Sequence, residues 1–214
     1  MLLLSQIAGY MVSTILSLCV SIPLICNLKD FGGKCLLFSQ GEFLENGFFV
    51  PQWATSMNCV LTLVLAISLT IISVYQLVIV SIHFRRGTDC SFISAFWDTL
   101  IALIFVIFTL LDAISITYGF SRWCSALTQR FPSCEAAASI VTFNGDSSSI
   151  DPSWFFVEFG TVQFGIWACF VTWVLLLVLS SRKLFIHHER ENLIVSMSRE
   201  RHRYASRGYN DLNQ

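Results

Sequence analysis

Residues 91–120 have the sequence SFISAFWDTLIALIFVIFTLLDAISITYGF, a predominantly apolar run with only two charged side chains, Asp98 and Asp112. In helical form a run of this length extends for about 45 Å. A bilayer core about 30 Å thick needs roughly 20 apolar residues to be crossed by a helix. The stretch therefore predicts a membrane-spanning helix, and its two aspartates are the anomalies in it.

The whole chain has the composition of a membrane protein, with 55 % apolar and 13 % charged residues among 214. Four stretches are long and apolar enough to span a bilayer, and none shows the period-2 alternation of a membrane β-barrel. We predict an all-α, four-pass protein, a four-transmembrane-helix bundle with two outer loops. The predicted helices are about 3–26, 59–82, 91–120 and 159–181, the outer loops 27–58 and 121–158, the inner loop 83–90, and the basic, largely flexible tail 183–214.

The first helix carries a small residue at every fourth position. The row consists of Ser5, Gly9, Ser13, Ser17 and Ser21. Small residues at this spacing let a neighbouring helix approach closely in a membrane. Because this stretch lacks a basic n-region and a clear cleavage site, we expect a retained helix rather than a signal peptide. The row favours packing inside the bundle, with a homo-oligomer as the alternative.

The basic residues predict the orientation in the membrane, because cytoplasmic flanks carry an excess of Lys and Arg. Nine lie in the inner loop or the tail, among them Arg85, Arg86 and Lys183, whereas the outer loops have four and also contain seven acidic residues. We therefore expect both termini in the cytoplasm of a multi-pass protein of the plasma membrane or an endomembrane or vesicle.

Four cysteines fall in the predicted outer loops or at their edge: Cys35, Cys59, Cys124 and Cys134. An even number on the oxidising side of a membrane indicates disulfides. A local Cys124–Cys134 bridge and a Cys35–Cys59 bridge to the second helix would both fit, but four cysteines allow three pairings. Four free thiols are the alternative.

Three stretches resemble the transmembrane protein 179 family. They are DFGGKCLLF at 30–38, WC at 123–124 with CE at 134–135, and QFGIW at 163–167, in the same order along the chain. The resemblance implies a four-pass membrane fold and no particular biochemical activity. The layout is also loosely similar to claudin-like and other tetraspan proteins. The claudin pattern Trp-Gly-Leu-Trp-Cys-Cys is absent from the first outer loop, so a junctional role is not implied.

Asp98 and Asp112 are 14 residues apart, which places them about 21 Å apart and within roughly 40° of one helix face. Ionisable groups at membrane depth face the bundle or water and indicate functional sites such as ion or proton relays. The structural alternative is that Asp98 reaches the interface or pairs with Arg85 or Arg86.

Asp112 is harder to neutralise, because the other predicted helices contain no Lys or Arg. Its expected partners are polar side chains such as Gln76, Gln163, Ser or Thr. The alternative is that the carboxyl group is protonated, since a charge is costly in hydrocarbon.

No catalytic residue, metal ligand or cofactor-binding motif is predicted. The histidines lie near or in the tail without a catalytic neighbourhood, and His187 and His188 alone form an incomplete metal site. We therefore expect no enzyme activity, no cofactor and no nucleic-acid partner.

Two patterns in the tail resemble clathrin-adaptor sorting signals. One is an acidic dileucine pattern with Glu189, Leu193 and Ile194, and the other is a tyrosine pattern with Tyr209 and Leu212. Such patterns are often accidental, but a cytoplasmic position would make them usable.

The chain as a whole favours a non-enzymatic accessory or organising subunit of the lipid bilayer that binds other membrane proteins and cycles through vesicles. The alternative function is a small ion or proton transporter or channel that uses Asp98 and Asp112.

Overall fold

The structure, a computed structural model, describes residues 2–45, 49–86, 92–140 and 154–211, with side chains described up to 137 and 201 in the last two ranges. The elements in chain order are α1 (Leu2–Asp30), β1 (Cys35–Phe43), β2 (Phe49–Ala54), α2 (Met57–Arg86), α3 (Phe92–Leu127), α4 (Cys134–Ile140) and α5 (Phe155–Asp211). Four of the helices, α1, α2, α3 and α5, are long and apolar enough to cross a membrane. The protein is therefore a four-helix, multi-pass integral membrane protein.

The helices are longer than the apolar stretches that predict them. Helix α3 continues past residue 120 to Leu127, and α5 continues through the predicted flexible tail to Asp211. Hydropathy detects only the part of a helix that is apolar. The tail contains no proline and is rich in Arg, Glu and Leu, which are good helix formers, so the helix continues where the hydropathy signal ends.

The four long helices do not form a closed ring. Helix α1 packs against α2 and α5, and α5 packs against α1 and α3, whereas α2 and α3 are scarcely in contact. We call the side of the bundle with the two disulfides the cap end and the opposite side the tail end. The arrangement leaves one open side, between α2 and α3.

The segment between α1 and α2, which is the predicted first outer loop, contains a β-hairpin that was not predicted from the sequence. Strands β1 and β2 are antiparallel, with Gly41 opposite Pro51 and Phe43 opposite Phe49, and the register is irregular between Cys35 and Gln40. From Leu37 to Glu42, more buried and less buried residues alternate along β1, as in a strand with one face on the core. The hairpin packs on the cap end of α3.

Aromatic side chains form the core of the cap. The ring of Trp123, near the end of α3, stacks on Trp53 with centroids 6.0 Å apart and meets the edge of Phe49 at 5.6 Å. Phe155, at the start of α5, contacts the same indole. These rings join the hairpin, α3 and α5 in one buried cluster.

Two disulfides hold the cap to the bundle. Cys35 at the start of β1 is bonded to Cys59 on α2, and Cys124 on α3 is bonded to Cys134 on α4. Of the three possible pairings, the structure has the one in which both bonds join neighbours in the chain.

The small residues of α1 lie against two different helices. The hydroxyl oxygens of Ser13 and Ser73 are 2.8 Å apart, and Thr70 donates to Ser17 at 2.8 Å, so these residues join α1 to α2. Gly9 faces Leu176 of α5. Of the other two members of the row, Ser21 is buried and Ser5 is exposed beside the α1–α5 contact.

Two glycines of α5, Gly165 and Gly160, differ in their surroundings and together test the α1–α5 contact. A methyl group at Gly165 would lie 2.8 Å from a Val20 methyl, whereas one at Gly160 would meet nothing within 4 Å. We expect Gly165→Ala to destabilise the folded protein by about 1–3 kcal/mol through overpacking, because the β-branched valine has little freedom to move. Gly160→Ala should be neutral or stabilise by up to about 1 kcal/mol. Thermal unfolding in mild detergent measures both, and equal melting temperatures would contradict the packing.

Candidate functional site

The two intramembrane aspartates of α3 lie in different surroundings. Asp98 is near the tail end and Asp112 is nearer the cap end, and the described part of α3 between them faces an apolar layer. Ala102 and Phe105 pack there with Trp173 and Leu69. The hydroxyl of Thr109 donates to a carbonyl of its own helix. The aspartates are therefore two separate sites and not one continuous polar stripe.

Asp98 forms a buried ion pair with Lys183 of α5. The Lys183 Nζ atom is 3.6 Å from Asp98 Oδ2, and each side chain is only 10 % exposed. Gln76 of α2 donates from Nε2 to Asp98 Oδ1 at 3.1 Å. One carboxylate thus joins three helices at the tail end.

This pair corrects the prediction for Asp98, which expected the interface or Arg85 and Arg86 as its partner. The two arginines are exposed at the end of α2, whereas Lys183 points into the bundle. Lys183 was predicted to lie in the tail because the apolar run ends before it. Since α5 continues as a helix, Lys183 lies one turn after the buried Ser180 and on the same face.

Further polar side chains surround the tail-end pair. Gln6 of α1 donates from Nε2 to the hydroxyl of Ser180 at 3.3 Å, and both residues are buried. With Gln76, Asp98 and Lys183 they form a polar cluster to which all four long helices contribute. Its balanced charges fit a structural role, and two of its buried atoms, Lys183 Nζ and Gln6 Oε1, have no hydrogen-bond partner among the described residues.

Asp112 has one partner and lacks a second. Thr62 of α2 donates its hydroxyl hydrogen to Asp112 Oδ1 at 2.7 Å. The other carboxyl oxygen, Oδ2, is buried and has no hydrogen-bond partner among the described residues. A buried polar atom without a partner is costly in free energy.

The predicted partners of Asp112 included threonine, which is the observed residue type, and also Gln76 and Gln163, which bind elsewhere. Threonine is the partner, as one of the predicted alternatives. Gln76 donates to Asp98 instead, and Gln163 donates to Thr117 at 3.4 Å. Thr62 belongs to a row of small residues on α2, with Ala66 and Thr70, and this row was the available signal for it.

The open side of the bundle forms a groove at the level of Asp112. It has a cavity of about 500 Å³ and is predominantly apolar. The groove is lined on α2 by Leu61, Val64, Leu65 and Ser68 and on α3 by Ile104, Phe105, Phe108, Leu111, Asp112 and Ser115. A lipid-facing groove with one incompletely bonded carboxyl group is the feature that we take as the candidate functional site.

The residues considered for other chemistry lie apart from the groove. No group of three His, Cys, Asp or Glu side chains that could hold a metal ion occurs within the described ranges. Ring nitrogen Nε2 of His188 is 3.1 Å from Asn192 Nδ2 on the exposed extension of α5. Glu189, Leu193 and Ile194 are exposed on the same extension. The side chain of Tyr209, and Leu212 as a whole, lie outside the described residues.

Comparison with known proteins shows which protein family the chain is similar to. The family model described as "Transmembrane protein 179/179B Claudin domain" matches residues 2–205. No solved structure matches the chain. The match covers α1, α2, α3, the cap and α5 up to residue 205, in agreement with the resemblance carried by residues 30–38, 123–124, 134–135 and 163–167.

The ion pair at the tail end predicts an asymmetric response to substitution. Lys183→Met leaves Asp98 buried without a counter-charge, and we expect a loss of about 3–5 kcal/mol of stability. Arg182→Met, at the exposed neighbouring position, should change stability by less than about 0.5 kcal/mol. Melting temperatures in mild detergent report both.

The double variant Asp98→Asn with Lys183→Met removes both charges and should recover part of the loss of the single variant. If Lys183→Met and Arg182→Met had the same small effect, the ion pair would not contribute to the assembly of the bundle.

Proposed function

The chain belongs to the transmembrane protein 179/179B claudin-domain family, and from this premise we propose that it is a non-enzymatic accessory or organising subunit that binds other membrane proteins. The observation that carries the proposal is the groove between α2 and α3. Two membrane helices that scarcely touch leave apolar faces uncovered, and the groove between them is lined by one carboxyl group, that of Asp112. Such a surface is suited to contact with another membrane component.

The surroundings of the two aspartates favour this role over ion or proton transport. A relay needs polar groups in sequence, and ionisable residues of transporters line a shared path. Asp98 is neutralised by Lys183, and apolar side chains separate it from Asp112. Transport remains the competing function, and it would have to use Asp112 alone.

For the topology we propose cytoplasmic termini with the cap on the outer or lumenal side. Nine basic residues lie at the end of α2 or from Arg182 onward, in agreement with the charge rule for cytoplasmic segments. Both disulfides are at the cap end, and such bonds persist in oxidising compartments. The plasma membrane or an endomembrane or vesicle is the proposed location.

We also propose that the tail connects the protein to vesicle traffic through clathrin adaptors. Leu193 and Ile194 are both exposed on the extension of α5, so the acidic dileucine pattern is available for binding. The tyrosine pattern, Tyr209 and Leu212, is the second candidate.

The topology can be tested with two single substitutions that each create a glycosylation sequon. Asp146→Asn gives Asn-Ser-Ser at 146–148 in the predicted outer loop, and Ser196→Asn gives Asn-Met-Ser at 196–198 in the tail. We expect glycosylation of the first variant only, because only lumenal sequons are modified, and a gel shift reversed by a glycosidase measures it. Modification of the tail sequon would contradict the proposed topology.

The accessory role predicts that the full-length protein, purified in mild detergent, retains a membrane-protein partner in stoichiometric amount, identified by mass spectrometry. The protein reconstituted alone in vesicles should show no flux of ions or protons above that of empty vesicles. A monodisperse protein without a partner, together with a flux abolished by Asp112→Asn, would favour transport instead.

A further inference from the structure

We propose that the groove between α2 and α3 binds one transmembrane helix of a partner protein, and that this helix carries a Lys or Arg that pairs with Asp112. The inference rests on the proposed accessory function and gives that function a surface and a chemical requirement.

Two hydrogen bonds connect α2 and α3 across the open side. The cap-side link joins Thr62 to Asp112, and the tail-side link joins Gln76 to Asp98. The links are 14 residues apart on both helices, which corresponds to about 21 Å of helix. The two helices are thus held at a defined distance by polar side chains, and the groove opens around the cap-side link, along residues 61–68 of α2 and 104–115 of α3.

The lining of the groove has the spacing of a helix-packing surface. On α2 the residues Leu61, Val64, Leu65 and Ser68 follow the i, i+3, i+4, i+7 pattern, and on α3 Ile104, Phe108, Leu111 and Ser115 follow i, i+4, i+7, i+11. Ridges of this kind on two helices form a groove for the side chains of a third. Along α3 the groove extends over 12 residues, from Ile104 to Ser115, which is about three turns.

Asp112 determines the chemistry of the occupant. Lipid chains would cover the apolar lining but would supply no counter-charge to the carboxyl group of Asp112, which is part of that lining and accepts a hydrogen bond at Oδ1 only among the described residues. A Lys or Arg side chain supplies both a donor and the opposite charge, and ionisable groups in membranes pair with one another for this reason. In contrast to Asp98, which has Lys183, Asp112 has no cation on the described helices within ion-pair distance.

The depth of the partner's basic residue follows from the position of Thr62. Thr62 is three residues along α2 from the disulfide-bonded Cys59, so Asp112 lies about 5 Å below that bond along the helix axis. The basic side chain must therefore enter from the cap-side half of the membrane.

The test uses designed single-pass helices of Leu and Ala as probes, reconstituted in vesicles with the full-length protein. One probe carries a single Lys in its cap-side third, a second has Leu at that position, and a third carries the Lys about three turns nearer the tail side. Association is measured by energy transfer between fluorescent labels. Asp112→Asn serves as the protein variant, because the amide oxygen can still accept the hydrogen bond from Thr62 while the charge is lost.

We expect the cap-side Lys probe to bind wild-type protein about threefold to tenfold more tightly than it binds Asp112→Asn, the range for interhelical polar pairs. The other two probes should not distinguish the two proteins. Unchanged melting temperature of Asp112→Asn shows that the difference is not a folding defect. Equal binding of the Lys and Leu probes by the wild type would overturn the proposal.

Photo-crosslinking locates the contact independently. A benzoylphenylalanine at Phe108, in the groove and 53 % exposed, should crosslink the cap-side Lys probe. The same group at Phe164, 70 % exposed on α5, is the matched control and should not. Adducts with lipid alone, or mainly with a second copy of the chain, would overturn the proposal in favour of those occupants.

The outcome separates this inference from the accessory function. If a partner copurifies with both wild type and Asp112→Asn and crosslinks outside the groove, the accessory function stands and the groove proposal falls. If no partner copurifies, the accessory function itself fails, whatever the probes show.

Discussion

The buried ion pair between Asp98 and Lys183 is the constraint on which the assembly of the bundle depends. A charge removed from water needs a partner, and this pair meets that need only when α3 and α5 lie side by side. Gln76 adds α2 to the same carboxylate. Together with the serine and threonine contacts between α1 and α2, the pair orders four helices whose lipid-facing surfaces are almost uniformly apolar. In such a protein polar contacts specify which helix faces meet, because lipid solvates apolar faces as well as another helix does.

The small number of polar contacts between α2 and α3 also explains the open side of the bundle. Helices α2 and α3 are adjacent in the chain and yet meet mainly through two side-chain hydrogen bonds, at Thr62 and at Gln76. The tail-side bond belongs to a cluster in which the charges balance. The cap-side bond satisfies only one oxygen of Asp112. One aspartate of α3 is thus paired inside the bundle, and the other lines an open groove, so two identical side chains on one helix have different surroundings.

The structure of the cap could be predicted only in part from the sequence. The four outer cysteines were identified from composition and topology, but their pairing needed the hairpin, which brings Cys35 beside the first turn of α2. The hairpin was missed because its glycine- and phenylalanine-rich sequence lies between two strong helix signals. Its aromatic side chains pack against Trp123 of α3, which is 70 positions away from Trp53 in the chain. A contact between such distant residues leaves no periodicity in either segment.

The sequence by itself determined the class of the protein, its four membrane helices and the presence of two anomalous aspartates, because each of these follows from local hydropathy and the size of the bilayer. It also contained the family resemblance that the comparison with known proteins supports. Only the tertiary structure decided that Lys183 belongs to the bundle, that Thr62 bonds to Asp112, and that α2 and α3 stand apart. The physical reason is that a polar side chain in a membrane helix chooses its partner across helix interfaces, and the facing residues are brought together by packing and not by proximity in the chain.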